Sequence, residues 1–351
     1  MKSRIRIAAS RVGFAAAPAD ARPYGNSFSL DAAKKYGEDS LARSLATFRT
    51  AGEAGADVVV STEYALHFGD FGSLENQKHL RKLVQEIPGP ATDKTAEIAK
   101  EYGMHIALNM QERVGGDVMN TTVLIGRDGK IIGKYRKIHM PAFEHWFTKA
   151  GTEYNVFETD IGRIGFTICH DMAFPESVRG MALNGADIVL HATGGWGFVT
   201  NYTLGKALLQ VRAAENCVHI ANSYLINPTV PGSSSCIVSN KGVVLAENDS
   251  QTEDGIAIAE IDPDYEMIND NSMWNFFCNV RSERMRFMLE RNPVAYGVFA
   301  EASPPVSRDC FPKYKYARTR DEIASMSETY DNARREEESG VSSELFRGKE
   351  W

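Results

Sequence analysis

Apolar and polar positions change period repeatedly along the chain, and the changes mark its elements. Residues 4–9 (RIRIAA) alternate as a strand does, whereas Leu30, Ala33, Tyr36, Leu41, Leu45 and Phe48 recur at helical spacing through 31–54. Gly52 and Gly55 punctuate that helix, and Asp57 to Glu63 (DVVVSTE) is a β-branched run ending in a carboxylate. A second β–α–β unit follows, with a helix over 91–101 stopped by Gly103 and a strand from Met104 to Met110. Residues 121–126 and 130–135 flank Arg127-Asp128-Gly129 as a hairpin. Further strands are predicted at 163–169, 187–191 and 217–223, with helices at 176–184 and 203–216. A last hairpin spans 235–247 and turns at Asn240-Lys241-Gly242. Strands alternating with helices predict an α/β layered fold with buried sheets. From about 265 the pattern stops: 302–313 is rich in Pro and Ser, and 317–351 is strongly charged with few large apolar groups. The predicted division is a domain over 1–264 and a C-terminal extension over 265–351.

Composition narrows the classes of function. The chain has 351 residues, 43% of them hydrophobic and 24% charged, which is enough to bury a large core. A formal net charge of −7 disfavours nucleic acid or an anionic membrane as the main partner. No run approaches the roughly 18 apolar residues of a membrane span, and the apolar stretch near the start is broken by Ser10 and Arg11, unlike a secretory signal. Cysteines 169, 217, 236, 278 and 310 form no C-x-x-C pair, so neither a disulfide framework nor a structural zinc site is expected. These features predict a cytoplasmic protein whose thiols stay reduced.

Candidate chemistry collects where strands end, the place in α/β sheets where functional groups gather. Glu63 closes one strand, Cys169 closes RIGFTIC, and Lys137 lies just beyond the second strand of a hairpin. Singly, each has a plain structural explanation: a loop acid, a small buried hydrophobe, a surface base. Together, "VVSTEYAL", "GKYRKIHMP" and "GFTICHDMAFPES", with "QVRAAENCVHIANS" and "SSSCIVSNKGVVLAE", resemble the nitrilase or carbon–nitrogen hydrolase superfamily over roughly residues 4–262.

That resemblance implies a four-layer α-β-β-α sandwich, an extended C-terminal arm, assembly as a homodimer or larger homo-oligomer, and no metal or other cofactor. It implies Cys169 as nucleophile, Glu63 as general base, Lys137 as cationic stabiliser and Glu144 as a second acid that positions the lysine or the substrate amide. Chemically, Glu63 would take the thiol proton and pass it to the leaving nitrogen. Lys137 and the backbone N–H of His170 would meet the oxyanion, and the nearby lysine is expected to favour thiolate. Tyr64 and the loop Gly194-Gly195-Trp196 are placed with the substrate-binding groups. His139, His145 and His170 lack the spacing of a ligand set, and Asp171 and Glu176 read as supporting or capping residues. Nitrile-cleaving members usually carry Cys-Trp-Glu, and amidase and carbamoylase members Cys-x-Asp. Cys169-His170-Asp171 therefore implies a small-molecule amide or carbamoyl substrate, the amide first.

Overall fold

The computed structural model describes residues 4–13, 18–21, 28–66, 74–141, 144, 147–195, 202–226, 233–263 and 283–300. Twelve strands form two six-stranded sheets. The first sheet contains β1 (Ile5–Arg11), β2 (Val58–Val60), β3 (His105–Val114), β4 (Asp117–Ile125), β5 (Ile131–Arg136) and β12 (Gly255–Ile261), in the order β12-β1-β2-β3-β4-β5. The second contains β6 (Val156–Thr159), β7 (Gly162–Ile168), β8 (Ile188–Thr193), β9 (His219–Tyr224), β10 (Ser235–Val238) and β11 (Val244–Asn248), in the order β11-β10-β9-β8-β7-β6. In each sheet three parallel strands form the centre, β1-β2-β3 and β7-β8-β9, and antiparallel strands flank them.

The two centres repeat the same backbone device. Asp57 and Asp187 each take the backbone N–H of an arginine, Arg6 or Arg163, at 3.0 Å, and each passes its carbonyl to a histidine N–H, His105 or His219. The pairings Ile7↔Val58↔His105 and Ile164↔Ile188↔His219 keep the same register. Both triplets therefore point their carboxyl ends the same way relative to this anchor.

Helices cover the outer faces. Helix α1 (Leu30–Glu53) is capped by Ser29, whose Oγ accepts from Ala32 N at 3.3 Å. It buries Ala33, Tyr36, Leu41, Phe48 and Ala51, one stripe at helical spacing. The short α2 (Leu74–Leu83) precedes α3 (Pro90–Tyr102), which starts on a proline and ends at left-handed Gly103, φ 58°. Phe48 and Ile98 of α1 and α3 pack with Ala8, Val59, Ile106 and Leu108 of the first sheet. On the second sheet, α4 (Pro175–Leu183) and α5 (Tyr202–Asn216) lie against β7, β9 and β10. The inner faces meet each other: Ser223 and Ser235 Oγ both donate to the Ser10 carbonyl, at 2.6 and 2.8 Å. The fully buried Arg11 donates to the carbonyls of Ser250, Tyr224 and Ser233. The four layers run α-β-β-α, as the resemblance implied.

Several boundaries move. The strand predicted over 57–63 pairs only at Val58–Val60, and the chain then turns so that Tyr64 adopts φ 56°. The strand beginning at Met104 runs on to Val114, and β4 starts at Asp117, so a Gly115-Gly116 turn makes a hairpin that the alternation did not reveal. Both strands are buried on both faces over most of their length, which erases the period-two signal. Helix α2 and strands β6 and β12 were not anticipated.

By compactness the chain divides into one unit of Met1–Phe71 with Glu75–Tyr265 and another of Gly72–Leu74 with Glu266–Trp351. Within the second, a helix spans Glu283–Leu289 and a 3-10 segment Pro293–Ala300, with the Arg291 guanidinium 5.2 Å from the Tyr296 ring centroid. The sequence offers Trp274-Asn275-Phe276-Phe277 and the set Met285, Phe287, Met288 and Leu289 as apolar anchors for the C-terminal arm; residues 274–277 and the Met285 side chain lie outside the described residues. Phe287 and Met288 are half-buried there and Leu289 is exposed. No helix among the described residues is long and apolar enough to cross a membrane.

Two strand histidines make stability depend on pH. Burial pushes His191, bonded to Thr167, and His219, near the Asp262 carbonyl, down from 6.5 to about 4. The unfolded chain protonates both near 6.5 and the folded chain only near 4, so stability is lost as pH falls through that window. Each contributes roughly 3 kcal/mol by pH 4. In urea unfolding free energies measured from pH 7 to 4.5, these two histidines are expected to contribute a slope near pH 5 of about two protons per molecule, to which His105 and His170, also lowered by burial, add.

Candidate active site

Glu63, Lys137, Glu144 and Cys169 meet at the carboxyl ends of the central strands, and all four are buried. Glu63 stands on the turn after β2. Lys137 follows β5, its N–H bonded to Asn120 O and its carbonyl taken by Gly151 N at 2.7 Å. A Cβ at 151 would lie 2.2 Å from the Arg136 carbonyl, so only glycine lets the chain return this closely. Glu144 sits between Pro141, whose carbonyl accepts its N–H, and Thr148, which donates to the Glu144 carbonyl through both N–H and Oγ1.

The lysine bridges the two acids. Lys137 Nζ lies 3.0 Å from Glu63 Oε1 and 2.5 Å from Glu144 Oε2. Burial works against the ammonium, but Glu144 and Glu63 outweigh it and hold the Lys137 pKa well above its ordinary value. Lys137 is therefore a fixed cation. Tyr64 OH donates to Glu144 Oε1 at 2.7 Å, and Asn120 Nδ2 donates to Glu63 Oε1 and Glu144 Oε1, both at 2.9 Å. Burial, with Glu144 and Glu63 beside it, pushes the Tyr64 phenol well above its ordinary value, so it stays a donor.

Cys169 begins a 3-10 turn, Cys169–Ala173, directly after β7 and has φ 46°. A left-handed non-glycine residue costs about 1–3 kcal/mol and is found where the surroundings over-determine it. Here Asp171 does so. Its carboxylate accepts from Ile168 N at 3.0 Å, Tyr135 OH at 2.7 Å and His139 N at 2.8 Å, and lies 3.0 Å from His139 Nδ1. Burial would raise the Asp171 carboxyl, but these donors, His139 first, hold it below the usual range. The His139 ring stacks on Phe174 at 4.0 Å, and Ser177 Oγ also reaches its Nδ1.

The Cys169 thiol donates to the Gly195 carbonyl at 2.9 Å. Burial first, then Glu63, pushes its pKa up to about 12, and Lys137 only partly opposes them. Lys137 does favour the thiolate, as expected, but burial and Glu63 outweigh it. Lys137 is committed to two carboxylates, and the thiol sees that group as a whole. The resting sulfur is S–H.

A family model described as carbon–nitrogen hydrolase matches residues 22–267, which contain every one of these groups. The chain belongs to the carbon–nitrogen hydrolase family. Among its relatives is a protein named nitrilase from Pyrococcus abyssi, 32% identical over 219 residues, covering 61% of this chain and 80% of that one. Another is the human protein named omega-amidase NIT2, 29% identical over 238 residues, covering 64% and 83%. Of the solved structures, the C. elegans NitFhit protein superimposes with a TM-score of 0.64 at 21% identity, over 84% of this chain and 66% of that one. That likeness concerns the fold.

The other anticipated residues of this carbon–nitrogen hydrolase fall as follows. His170 follows the thiol in the 3-10 turn, with its ring edge-on to Phe174 at 5.3 Å, and burial lowers its pKa. Gly194 N donates to Glu63 Oε2 at 2.8 Å, and a Cβ there would lie 3.2 Å from that oxygen. Tyr64 engages Glu144. Gly194 and Tyr64, placed with the substrate groups from sequence, thus contact the acid pair. Trp196 and His145 lie outside the described residues. Among the described residues no cluster of His, Cys, Asp and Glu is arranged to hold a metal. Arg179 and Arg212, which the sequence marks as structural ion-pair candidates, meet at Glu215: Arg212 pairs with its carboxylate at 3.0 Å within α5, and Arg179 of α4 donates to its carbonyl.

Asn120 and Asn109 were missed. Their signal was present: Asn is depleted in strands, yet both lie inside apolar strand segments, HIALNMQERV and DVMNTTVLI.

Proposed function

We propose that this carbon–nitrogen hydrolase cleaves a small non-peptide amide to a carboxylic acid and ammonia through a thioester on Cys169. The carrying observation is a buried thiol, hydrogen-bonded to a carbonyl, beside an ammonium clamped between two carboxylates. Burial raises the thiol's pKa, so attack requires a base that takes the proton as sulfur meets the carbonyl. Glu63 is that base. Lys137 carries three N–H donors. Two go to Glu63 and Glu144, and the third meets the oxyanion together with the His170 backbone N–H. The tetrahedral species expels ammonia as Glu63 returns the proton to nitrogen. Glu63 then takes a proton from water, which adds to the thioester carbonyl, and the proton returns to sulfur as the acid leaves. Glu144 keeps the ammonium in place. The name omega-amidase carried by several relatives, and Asp171 two residues after the cysteine, support an amide over a nitrile.

The test is ammonia release from acetamide, propionamide, N-carbamoyl-β-alanine and phenylacetonitrile. The amides are expected to turn over fastest. Faster release from the carbamoyl compound would move the assignment to an N-carbamoyl hydrolase, and faster nitrile turnover would overturn the branch.

A further inference from the structure

Asn120 is a second group that joins the two carboxylates, and its orientation is not open to choice. Tyr64 N–H donates to Asn109 Oδ1 at 2.7 Å, which fixes that oxygen on Tyr64 and turns Asn109 Nδ2 towards Asn120 Oδ1 (3.0 Å) and Thr122 Oγ1 (3.1 Å). Asn120 must then present its NH2 to the acids, one N–H to Glu63 Oε1 and one to Glu144 Oε1. Asn109 is itself held, its N–H bonded to Ser61 Oγ at 2.8 Å. The amide, both asparagines and the carboxylates are buried, so each of these bonds is made out of competition with water.

The two oxygens of Glu63 consequently differ. A carboxylate oxygen accepts about two hydrogen bonds. Oε1 already receives Lys137 Nζ and Asn120 Nδ2, whereas Oε2 receives Gly194 N–H alone among the bonds described. The thiol now points at the carbonyl of Gly195, the residue after the one that marks Oε2. We propose that Asn120 is a positioning residue that saturates Glu63 Oε1 and thereby makes Oε2 the atom that receives the Cys169 proton. In that step the S–H bond breaks, its proton forms a bond to Oε2, and the sulfur electron pair goes to the substrate carbon. Being neutral, the amide spaces the two acids without competing with Lys137 for them. An aspartate of the same shape would add a third negative charge where two already share one cation, favouring protonated carboxyls.

The inference rests on the amidase reading for its role in turnover, but not for its role at the thiol. Asn120→Ala and Asn120→Asp would be compared with the wild type in two measurements. One is alkylation of Cys169 by iodoacetamide against pH, read by peptide mass spectrometry. The other is kcat and KM for the best amide of the panel. Asn120→Ala is expected to lower kcat and the alkylation rate at pH 7 about tenfold or more, with KM within about threefold. Asn120→Asp is expected to move the acid limb of both profiles up by about one pH unit. Folded variants with wild-type alkylation and an unmoved acid limb would overturn the proposal. Should neither variant fold by circular dichroism, Asn109→Ser decides, since it frees the Asn120 amide without touching the acids. A smaller loss of the same kind supports the assignment, and unchanged alkylation overturns it. A wild type that releases no ammonia but shows the alkylation shifts would refute the amidase reading and leave the role of Asn120 standing.

Discussion

Replacing Cys169 by alanine will remove ammonia release from the preferred amide altogether, a loss of about 10⁴-fold or more, while the thermal midpoint moves by only a few degrees. No neighbouring group can take over. Glu63 and Glu144 are committed to Lys137, Asn120, Tyr64 and Gly194, and Cys217 and Cys236, the other two cysteines described, are buried elsewhere. The fold tolerates the change because alanine meets the same left-handed backbone at 169 and removes only the thiol's bonds to the Gly195 carbonyl and the Thr193 side chain. Surviving hydrolysis at wild-type rates would sink the nucleophile assignment, and ammonia release with a matched acid product is the assay.

Lys137→Met is expected to be the opposite kind of variant, damaging both fold and turnover. It leaves two buried carboxylates facing each other with only Asn120, Tyr64 and Gly194 to satisfy them. Breaking a buried ion pair by removing one partner costs about 3–5 kcal/mol, which corresponds to a midpoint lower by on the order of 10 °C. Activity should fall at least about 10³-fold if Lys137 is the oxyanion donor proposed above. Adding Glu144→Gln to Lys137→Met rebalances the charge. Differential scanning calorimetry should then show part of the stability regained, with hydrolysis still absent. A double variant as unstable as the single one would mean that packing of the lysine stem, and not its charge, supports the site.

The core of this arrangement could be read from the sequence because the chemistry sits on strongly marked elements. The β-branched run before Glu63, the strand ending at Cys169 and the hairpin before Lys137 all announce themselves by period, and the local wording around them carries the family. Glu144 came through the family pattern alone. What escaped has physical causes. Asn109 and Asn120 matter through which way an amide faces, and that is decided by Tyr64 N–H, a residue at a distance of 45 positions from Asn109 in the chain. The thiol's high pKa depends on burial and on how Lys137 divides itself between two acids, neither of which a linear sequence displays. Strand β12 was missed since its partner is β1, at the far end of the domain, and β6 is only four residues long.

The pairing of β1 with β12 also says something about how the chain comes to be folded. Ile5 stands opposite Ile261, so the first strand of the sandwich acquires its outer neighbour only after nearly the whole domain exists. Contacts of such separation are closed slowly, because the entropy of the intervening loop is lost before any gain arrives. During synthesis the outer edge of β1 is an open row of N–H and C=O groups, the kind of edge on which chains associate wrongly. Glu63, Lys137 and Glu144 emerge from the ribosome ahead of Cys169, and the closing strand follows them all.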